Sequence, residues 1–188
     1  MGDSILDQIY PKDPQTGKYL IHAAVNNYRE IFNDMDPAPY KHKDLNTLFR
    51  SFLESCSADI PLKSGIKLIF DVQAEKQDKK TEEKIKAGLN NFFLFLIYNT
   101  KKERAKTLKR VALFTLISLI SLSLGFYLRT LSGNDWVYIT VTESFYIGGW
   151  VFFWEALAML TFRNRDERIR QKQYQRLVDA EVSFRYAG

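Results

Sequence analysis

The sequence holds one cysteine and two histidines, and it lacks the short motifs that identify most enzymes and metalloproteins. With Cys56 alone no internal disulfide can form, which is typical of a protein in a reducing compartment. His22 and His42 have too few other ligand residues near them for a metal site. No glycine-rich phosphate-binding loop and no Gly-x-Ser-x-Gly elbow occurs. We therefore expect no metal, no cofactor and no catalytic residue, and a protein that is not an enzyme.

Charge is absent from a long stretch in the middle of the chain. Residues 111–128 are eighteen residues without a charged side chain, and residues 137–162 are apolar apart from Glu143 and Glu155. A hydrocarbon core about 30 Å thick needs roughly 20 helical residues, so each stretch predicts a transmembrane helix. The short link between them, residues 129–136, has turn composition and makes the two helices antiparallel neighbours. Two buried helices of a soluble core are the weaker alternative.

Positive charge is concentrated on one side of this predicted hairpin of residues 111–162. Six basic residues lie in residues 101–110 before it, six lie in residues 163–176 after it, and the link between the spans holds only Arg129. By the positive-inside rule we expect a multi-pass protein of the cell inner membrane with both termini in the cytoplasm. Attraction to anionic lipid headgroups accounts for the basic clusters, so we expect a lipid partner and no nucleic acid.

The residues before the hairpin predict a folded domain of mixed helix and strand, residues 1–100. Residues 18–25 are apolar with β character, and residues 65–72 alternate in the manner of a half-buried strand. Residues 44–56 predict a helix that Asp44 caps. The apolar face of that helix is expected to contain Leu45, Leu48, Phe49 and Phe52.

Two longer helices and a last strand complete the predicted fold. One helix is expected to run from Thr81 through a basic connector, residues 101–110, into the first span. Residues 163–188 predict a basic helix and then a strand in which every second residue from Val182 is apolar. Because a lone strand is unstable, we expect it to complete the sheet of the N-terminal domain. The predicted fold class is an α+β cytosolic domain with an inserted two-helix transmembrane hairpin.

Glu143 and Glu155 are the strongest candidates for a functional site, because ionisable residues inside a span are costly. Alignment of the two helices by their cytoplasmic ends predicts Glu143 level with Arg129 and Glu155 level with Ser118. One interpretation is an interfacial Glu143–Arg129 ion pair and a hydrogen bond between Ser118 and Glu155. The other interpretation is that Glu155 lines a polar path in an oligomer.

Small residues predict how the two spans pack together. Ser144 and Gly148 share one face of the second helix with Glu155, and Gly125 lies on a face of small and hydroxyl residues of the first helix. Such residues let helix backbones approach closely. We therefore expect these two faces to pack against each other.

Several short segments resemble those of a group of small bacterial inner-membrane proteins with two transmembrane helices. They are residues 143–154 (ESFYIGGWVFFW), residues 180–182 (AEV), the Asp-Pro-Ala-Pro of residues 36–39 with Asp44 after it, and residues 57–61 (SADIP). The similarity extends over most of the chain. It implies a bacterial origin and a two-span topology, and the group has no characterised function to carry over.

Three functions stay open on the sequence. In the first, the cytosolic domain binds a protein partner or senses a state, while the hairpin anchors the protein and oligomerises it. In the second, the protein is a homo-oligomeric ion channel or pore-forming effector in which Glu155 faces a polar lumen. In the third, it is a membrane-tethered enzyme with an unrecognised site. Two helices cannot enclose a pore, so the channel requires several subunits.

Overall fold

The computed structural model of the chain describes residues 2–73, 76–131 and 136–186. Two compact units are present, one with residues up to Asn99 and from Arg170 onward, the other Thr100–Ile169. In chain order the elements are α1 (Gly2–Ile9), β1 (Tyr19–Val25), a 3₁₀ turn (Tyr28–Ile31), α2 (Thr47–Asp59), β2 (Ile66–Val72), α3 (Lys79–Leu131), α4 (Trp136–Ala158), a π-helical turn (Met159–Arg163), α5 (Asn164–Val178) and β3 (Glu181–Tyr186).

The three strands form a small parallel sheet in the first unit, in the order β1-β2-β3. Ile21 of β1 lies opposite Leu68 of β2, and Leu68 lies opposite Val182 of β3. These residues share the face of the sheet that carries the core, because successive strand residues point to opposite faces. The core also includes residues of three helices, namely Leu53 of α2, Phe93 of α3 and Leu177 of α5.

The prediction that the C-terminal strand completes the sheet is confirmed. β3 pairs with β2 although more than 100 residues separate them in the chain. The ring of Phe184 in β3 stacks on that of Phe70 in β2, with centroids 5.2 Å apart. The alternation in β3 predicted this pairing, because its apolar side chains need a surface to cover them.

The predicted N-cap of α2 is wrong by two residues. Asn46, not Asp44, caps the helix, and its Oδ1 accepts the backbone N–H of Leu48 at 2.9 Å. Asp44 still belongs to the preceding loop, where its own N–H donates to Asp36 Oδ2 at 2.8 Å. The buried face differs in consequence, because Leu48 is 82% exposed whereas Leu53 is fully buried.

α3 begins at Lys79, two residues before the expected Thr81, because Asp78 caps it. The Asp78 carboxylate accepts the backbone N–H of Lys80 at 3.0 Å and the hydroxyl of Thr81 at 2.5 Å. The helix then continues without a break to Leu131 and passes from the first unit into the second. This confirms the predicted continuity through the basic connector.

In the second unit α3 and α4 run antiparallel. The ring of Phe114 meets that of Phe152 with centroids 5.6 Å apart, and further along α3 the Ser121 Oγ donates to the carbonyl of Phe145 at 2.8 Å. Residues later in α3 thus contact residues earlier in α4, as in any antiparallel pair. The turn predicted for residues 129–136 falls partly on residues 132–135, which lie outside the described residues.

Two helices of the described chain are long and apolar enough to cross a membrane. They are Lys79–Leu131 and the run Trp136–Val178, which joins α4, the π-helical turn and α5. The chain is therefore a mixed helix and strand protein with a small parallel sheet and two long apolar helices.

Candidate functional site

α3 and α4 approach each other closely at two glycines. A Cβ atom on Gly149 would lie 2.7 Å from Cγ of Leu122, and one on Gly125 would lie 3.3 Å from Cβ of Phe145. Gly125 therefore lies in the helix contact, where it was expected. The buried Ser118 adds a hydrogen bond across the contact, because its Oγ donates to the carbonyl of Gly149 at 2.8 Å. Small residues and hydroxyls join helices in this way where no water competes.

The predicted hydrogen bond between Ser118 and Glu155 is not formed, because the Ser118 hydroxyl donates to Gly149. Glu155 follows Gly149 by six residues, which turns it about 120° around α4 from the face that packs on α3. It is exposed and makes no hydrogen bond or ion pair with another described residue. The prediction was wrong in depth as well as in rotation, because Ser118 lies level with Gly149, which is six residues or about 9 Å along α4 from Glu155.

Glu143 is also exposed, and its ion pair with Arg129 stays a prediction. It precedes Gly149 by six residues, so it lies about 120° from the packing face in the opposite sense to Glu155. The two carboxylates thus border the outer face of α4, a shallow groove whose other residues include Ile147, Trp150 and Trp154.

Ser144 and Gly148, the other residues predicted at the helix contact, lie beside it. Ser144 is exposed, and its hydroxyl donates to a backbone carbonyl one turn earlier in α4, at 2.8 Å. A Cβ atom on Gly148 would have only the Ser121 Oγ within 4 Å, at 3.9 Å. The packing residue is the adjacent Gly149, which sequence reasoning missed because the two neighbouring glycines look alike in the sequence.

A polar cluster joins the helices of the second unit at the end that holds the basic residues. Arg104 Nε donates to Asn164 Oδ1 at 2.8 Å, and Thr107 Oγ1 donates to Glu167 Oε1 at 2.9 Å. Arg163 Nε lies 3.6 Å from that same Glu167 oxygen. Sequence reasoning missed this cluster, because its members are hidden among many other charged residues of the two flanks.

In the first unit, the face of the sheet opposite the core carries charged side chains. His22 Nδ1 and Arg185 Nε lie 3.0 and 2.5 Å from the two carboxylate oxygens of Asp71, and Lys67 Nζ lies 3.0 Å from Glu181. Burial raises the pKa of Asp71, but the hydrogen bonds from Arg185 and His22 outweigh it and hold the pKa below its usual range. Parallel sheets are normally covered on both faces. The five residues named here, which are exposed or half-buried, define the open face of the sheet.

A chain of hydrogen bonds lies where the strands end. The hydroxyl of Tyr186 donates to the buried Glu82, and the hydroxyl of Tyr28 lies 2.5 Å from that of Tyr186. Burial and the Glu82 carboxylate raise the pKa of Tyr186. Ligands of parallel sheets often bind at this end, but these polar groups satisfy one another. Their role is to join β3 to α3.

Catalytic and metal chemistry has no support in the described residues. No group of three His, Cys, Asp or Glu side chains in that part of the chain is arranged to hold a metal ion. Cys56 is buried, and burial raises the pKa of its thiol, whereas a nucleophilic cysteine needs a lowered one.

Comparison with known proteins adds no assignment. No protein-family model, no curated protein and no solved structure matches the chain. The functional conclusion therefore rests on the residues and contacts described above.

Proposed function

We propose that this protein is a non-enzymatic integral membrane protein, with α3 and α4 as a transmembrane hairpin inserted into the chain of a cytosolic unit. The hairpin anchors and oligomerises the protein, and the cytosolic unit binds a protein partner. In this arrangement both termini lie in the cytoplasm, and the membrane is a cell inner membrane.

The observation that carries the proposal is the exposure of the apolar helices. Only 11% of the most apolar stretch of each helix is buried. A core helix of a soluble protein would bury most of that surface, because each Å² of apolar area in water costs about 25 cal/mol. The side chains left open include Leu113, Leu116, Leu119, Ile120, Val151 and Trp154. A bilayer covers such residues on every side of the helix pair.

The distribution of charge supports the orientation. The exposed basic residues of the connector include Lys101, Lys102, Lys106, Lys109 and Arg110, and the flank after α4 adds five more. Basic residues beside a span stay in the cytoplasm and attract anionic headgroups.

The open face of the sheet supports the partner-binding role. His22, Asp71 and Arg185 form a connected charged group whose side chains are 33%, 23% and 66% exposed. Charged surfaces of this kind select partners by complementary charge.

Extraction of isolated membranes tests the anchor. We expect the full-length protein to stay in the membrane pellet at alkaline pH in carbonate and to be released by detergent. Release by carbonate alone would refute an integral hairpin.

A homo-oligomeric channel is the second candidate, and the exposure of Glu143 and Glu155 favours it. Against a polar lumen, the hydroxyls of Ser118, Ser121 and Ser144 all donate to helix backbone carbonyls. Ion flux through proteoliposomes separates the candidates. For an anchor we expect none, whereas a wild-type flux that changes in Glu155→Gln would favour the channel.

A further inference from the structure

Glu155 makes no hydrogen bond or ion pair with any other residue that the structure describes. It is exposed on α4, and the nearest hydroxyl expected to satisfy it, that of Ser118, donates to Gly149 instead. If α4 crosses a membrane, a carboxylate on its outer surface is costly unless another group pairs with it. The missing partner must then come from another molecule.

Arg110 lies at the same depth as Glu155 and on the same flank of the helix pair. The rings of Phe114 and Phe152 meet at this flank, 5.6 Å apart. Arg110 precedes Phe114 by four residues and Glu155 follows Phe152 by three, about one turn each. Because the helices are antiparallel, both steps lead toward the basic end of the pair. Arg110 is exposed and, like Glu155, makes no hydrogen bond or ion pair with another described residue.

A second copy of the chain supplies the missing contact by symmetry. Within one chain, Arg110 and Glu155 stand on different helices, whose axes lie about 8–10 Å apart, and no ion pair joins them. Rotation of a second copy by a half-turn about an axis along the helix pair sets its α4 against the first copy's α3. Arg110 of each copy then faces Glu155 of the other, so the two pairs form together in an isologous contact.

The same flank of α4 has room for close approach. Gly148 and Ser144 precede Glu155 by seven and eleven residues, which places all three on one side of the helix. A Cβ atom on Gly148 would meet no described residue outside its own helix closer than 3.9 Å. Small residues of this kind line close contacts between membrane helices. The small face that the sequence predicted between α3 and α4 thus fits a contact between copies.

We propose that the protein is a two-fold symmetric homodimer in the membrane, held by Arg110–Glu155 ion pairs between copies beside a close contact at Gly148. This proposal rests on the membrane insertion of α3 and α4 proposed above. It names the residues of the oligomer contact, which the sequence left open.

Co-purification of two differently tagged full-length copies from mild detergent tests the pairing. We expect wild-type copies to co-purify. Glu155→Arg copies alone, and Arg110→Glu copies alone, should lose about tenfold or more of this co-purification, because like charges then face each other. Co-expression of the two variants should restore it, because each copy supplies the charge that the other needs. An ion pair within one chain cannot produce this rescue, since each variant chain holds like charges.

Two further variants sharpen the test. Lys109→Glu makes the same charge change as Arg110→Glu but lies about 180° around α3 from Ser118, so it should neither disrupt nor rescue association. Gly148→Leu should abolish co-purification and leave the protein in the membrane, because its side chain has space within the chain. Wild-type copies that do not co-purify, variants that fail to rescue each other, or a Lys109→Glu effect equal to that of Arg110→Glu would each overturn the proposal. A protein that resists carbonate extraction but fails the rescue refutes this pairing alone, whereas release by carbonate refutes the membrane anchor.

Discussion

Several contacts in this chain depend on a single atom at a single residue. Gly149 and Gly148 are neighbours in the sequence, yet only the first has a side chain of α3 where its Cβ would be. Asn46 and Asp44 are both good helix caps, yet only Asn46 stands where its side chain reaches a free backbone N–H. At these positions the distance to the neighbouring atoms, rather than the type of residue, decides which of two similar residues makes the contact.

The two adjacent glycines allow a matched comparison of alanine variants. Gly149→Ala should destabilise the helix pair by about 1–3 kcal/mol, because the new methyl group overlaps Leu122. In a single copy, separated by detergent from any partner copy, Gly148→Ala should be neutral or stabilising, because the helix gains about 0.5–1 kcal/mol without a clash within the chain. Thermal unfolding followed by circular dichroism in detergent measures both. Equal melting temperatures would contradict the close contact at Gly149.

The stability of the first unit should depend on pH through Asp71. Hydrogen bonds from Arg185 and His22 lower the pKa of its carboxyl in the folded state. The stability that the Asp71 carboxylate adds to the folded state is therefore complete above the unfolded pKa of about 3.9. It is lost as the pH falls through the lower pKa of the folded state. Asp71→Asn should cost about 1 kcal/mol at pH 7 and weaken the decline in stability below about pH 4.

The buried Cys56 reports this effect, because it is the one cysteine of the chain and reacts only when the first unit opens. Its rate of reaction with dithiodipyridine is measured from pH 7 to pH 3. Glu83→Gln is the control, since the Glu83 side chain is 74% exposed. An unchanged pH profile in Asp71→Asn would contradict the prediction.

Among the elements, β3 and α3 connect distant parts of the chain. β3 lies against β2 and covers part of the core, through Phe184 on Phe70. α3 is one helix of 53 residues that contributes core residues to the first unit and then the apolar stretch of the second. Both elements thus link residues that are far apart in the sequence.

Loss of the β3 ring should open the first unit. Phe184→Ala should destabilise that unit by about 2 kcal/mol, less than for a fully buried ring, because Phe184 is only partly buried. We expect faster modification of Cys56 at neutral pH, and faster still after deletion of residues 180–188. Met35→Ala is the control, because Met35 is 93% exposed. Unchanged Cys56 protection after the deletion would mean that the tail is a separate arm.

At the scale of the whole molecule, the two units differ in where their apolar residues lie. The first buries a core of its own around a small sheet. The second exposes most of its apolar side chains and carries basic residues at one end. We infer different surroundings for the two, water for the first and lipid for the second.

Cysteine labelling from outside the cell tests this division. In a Cys56→Ser chain, we expect an impermeant maleimide to label Thr130→Cys in intact cells. Lys102→Cys and Lys172→Cys should react only after the membrane is permeabilised, because both positions belong to the basic flanks, which we propose to be cytoplasmic. Labelling of Lys172→Cys in intact cells would contradict the two-span topology.

The sequence by itself determined the elements whose signal is periodic or cumulative. The order of residues along the chain was enough to predict the two apolar stretches, the strands β1 and β2 and the alternation of β3. The pairing of β3 with the N-terminal strands also followed, since its apolar side chains had no other surface to cover them.

Only the tertiary structure decided which faces meet. The rotation of α4 about its axis puts Gly149 on α3 and turns Glu155 away from Ser118. The loop before α2 places Asn46 rather than Asp44 at the cap. A shift of one residue in a helix turns a side chain by about 100°, so the sum of many packing contacts sets this rotation. No local pattern in the sequence predicts the combined effect of these contacts.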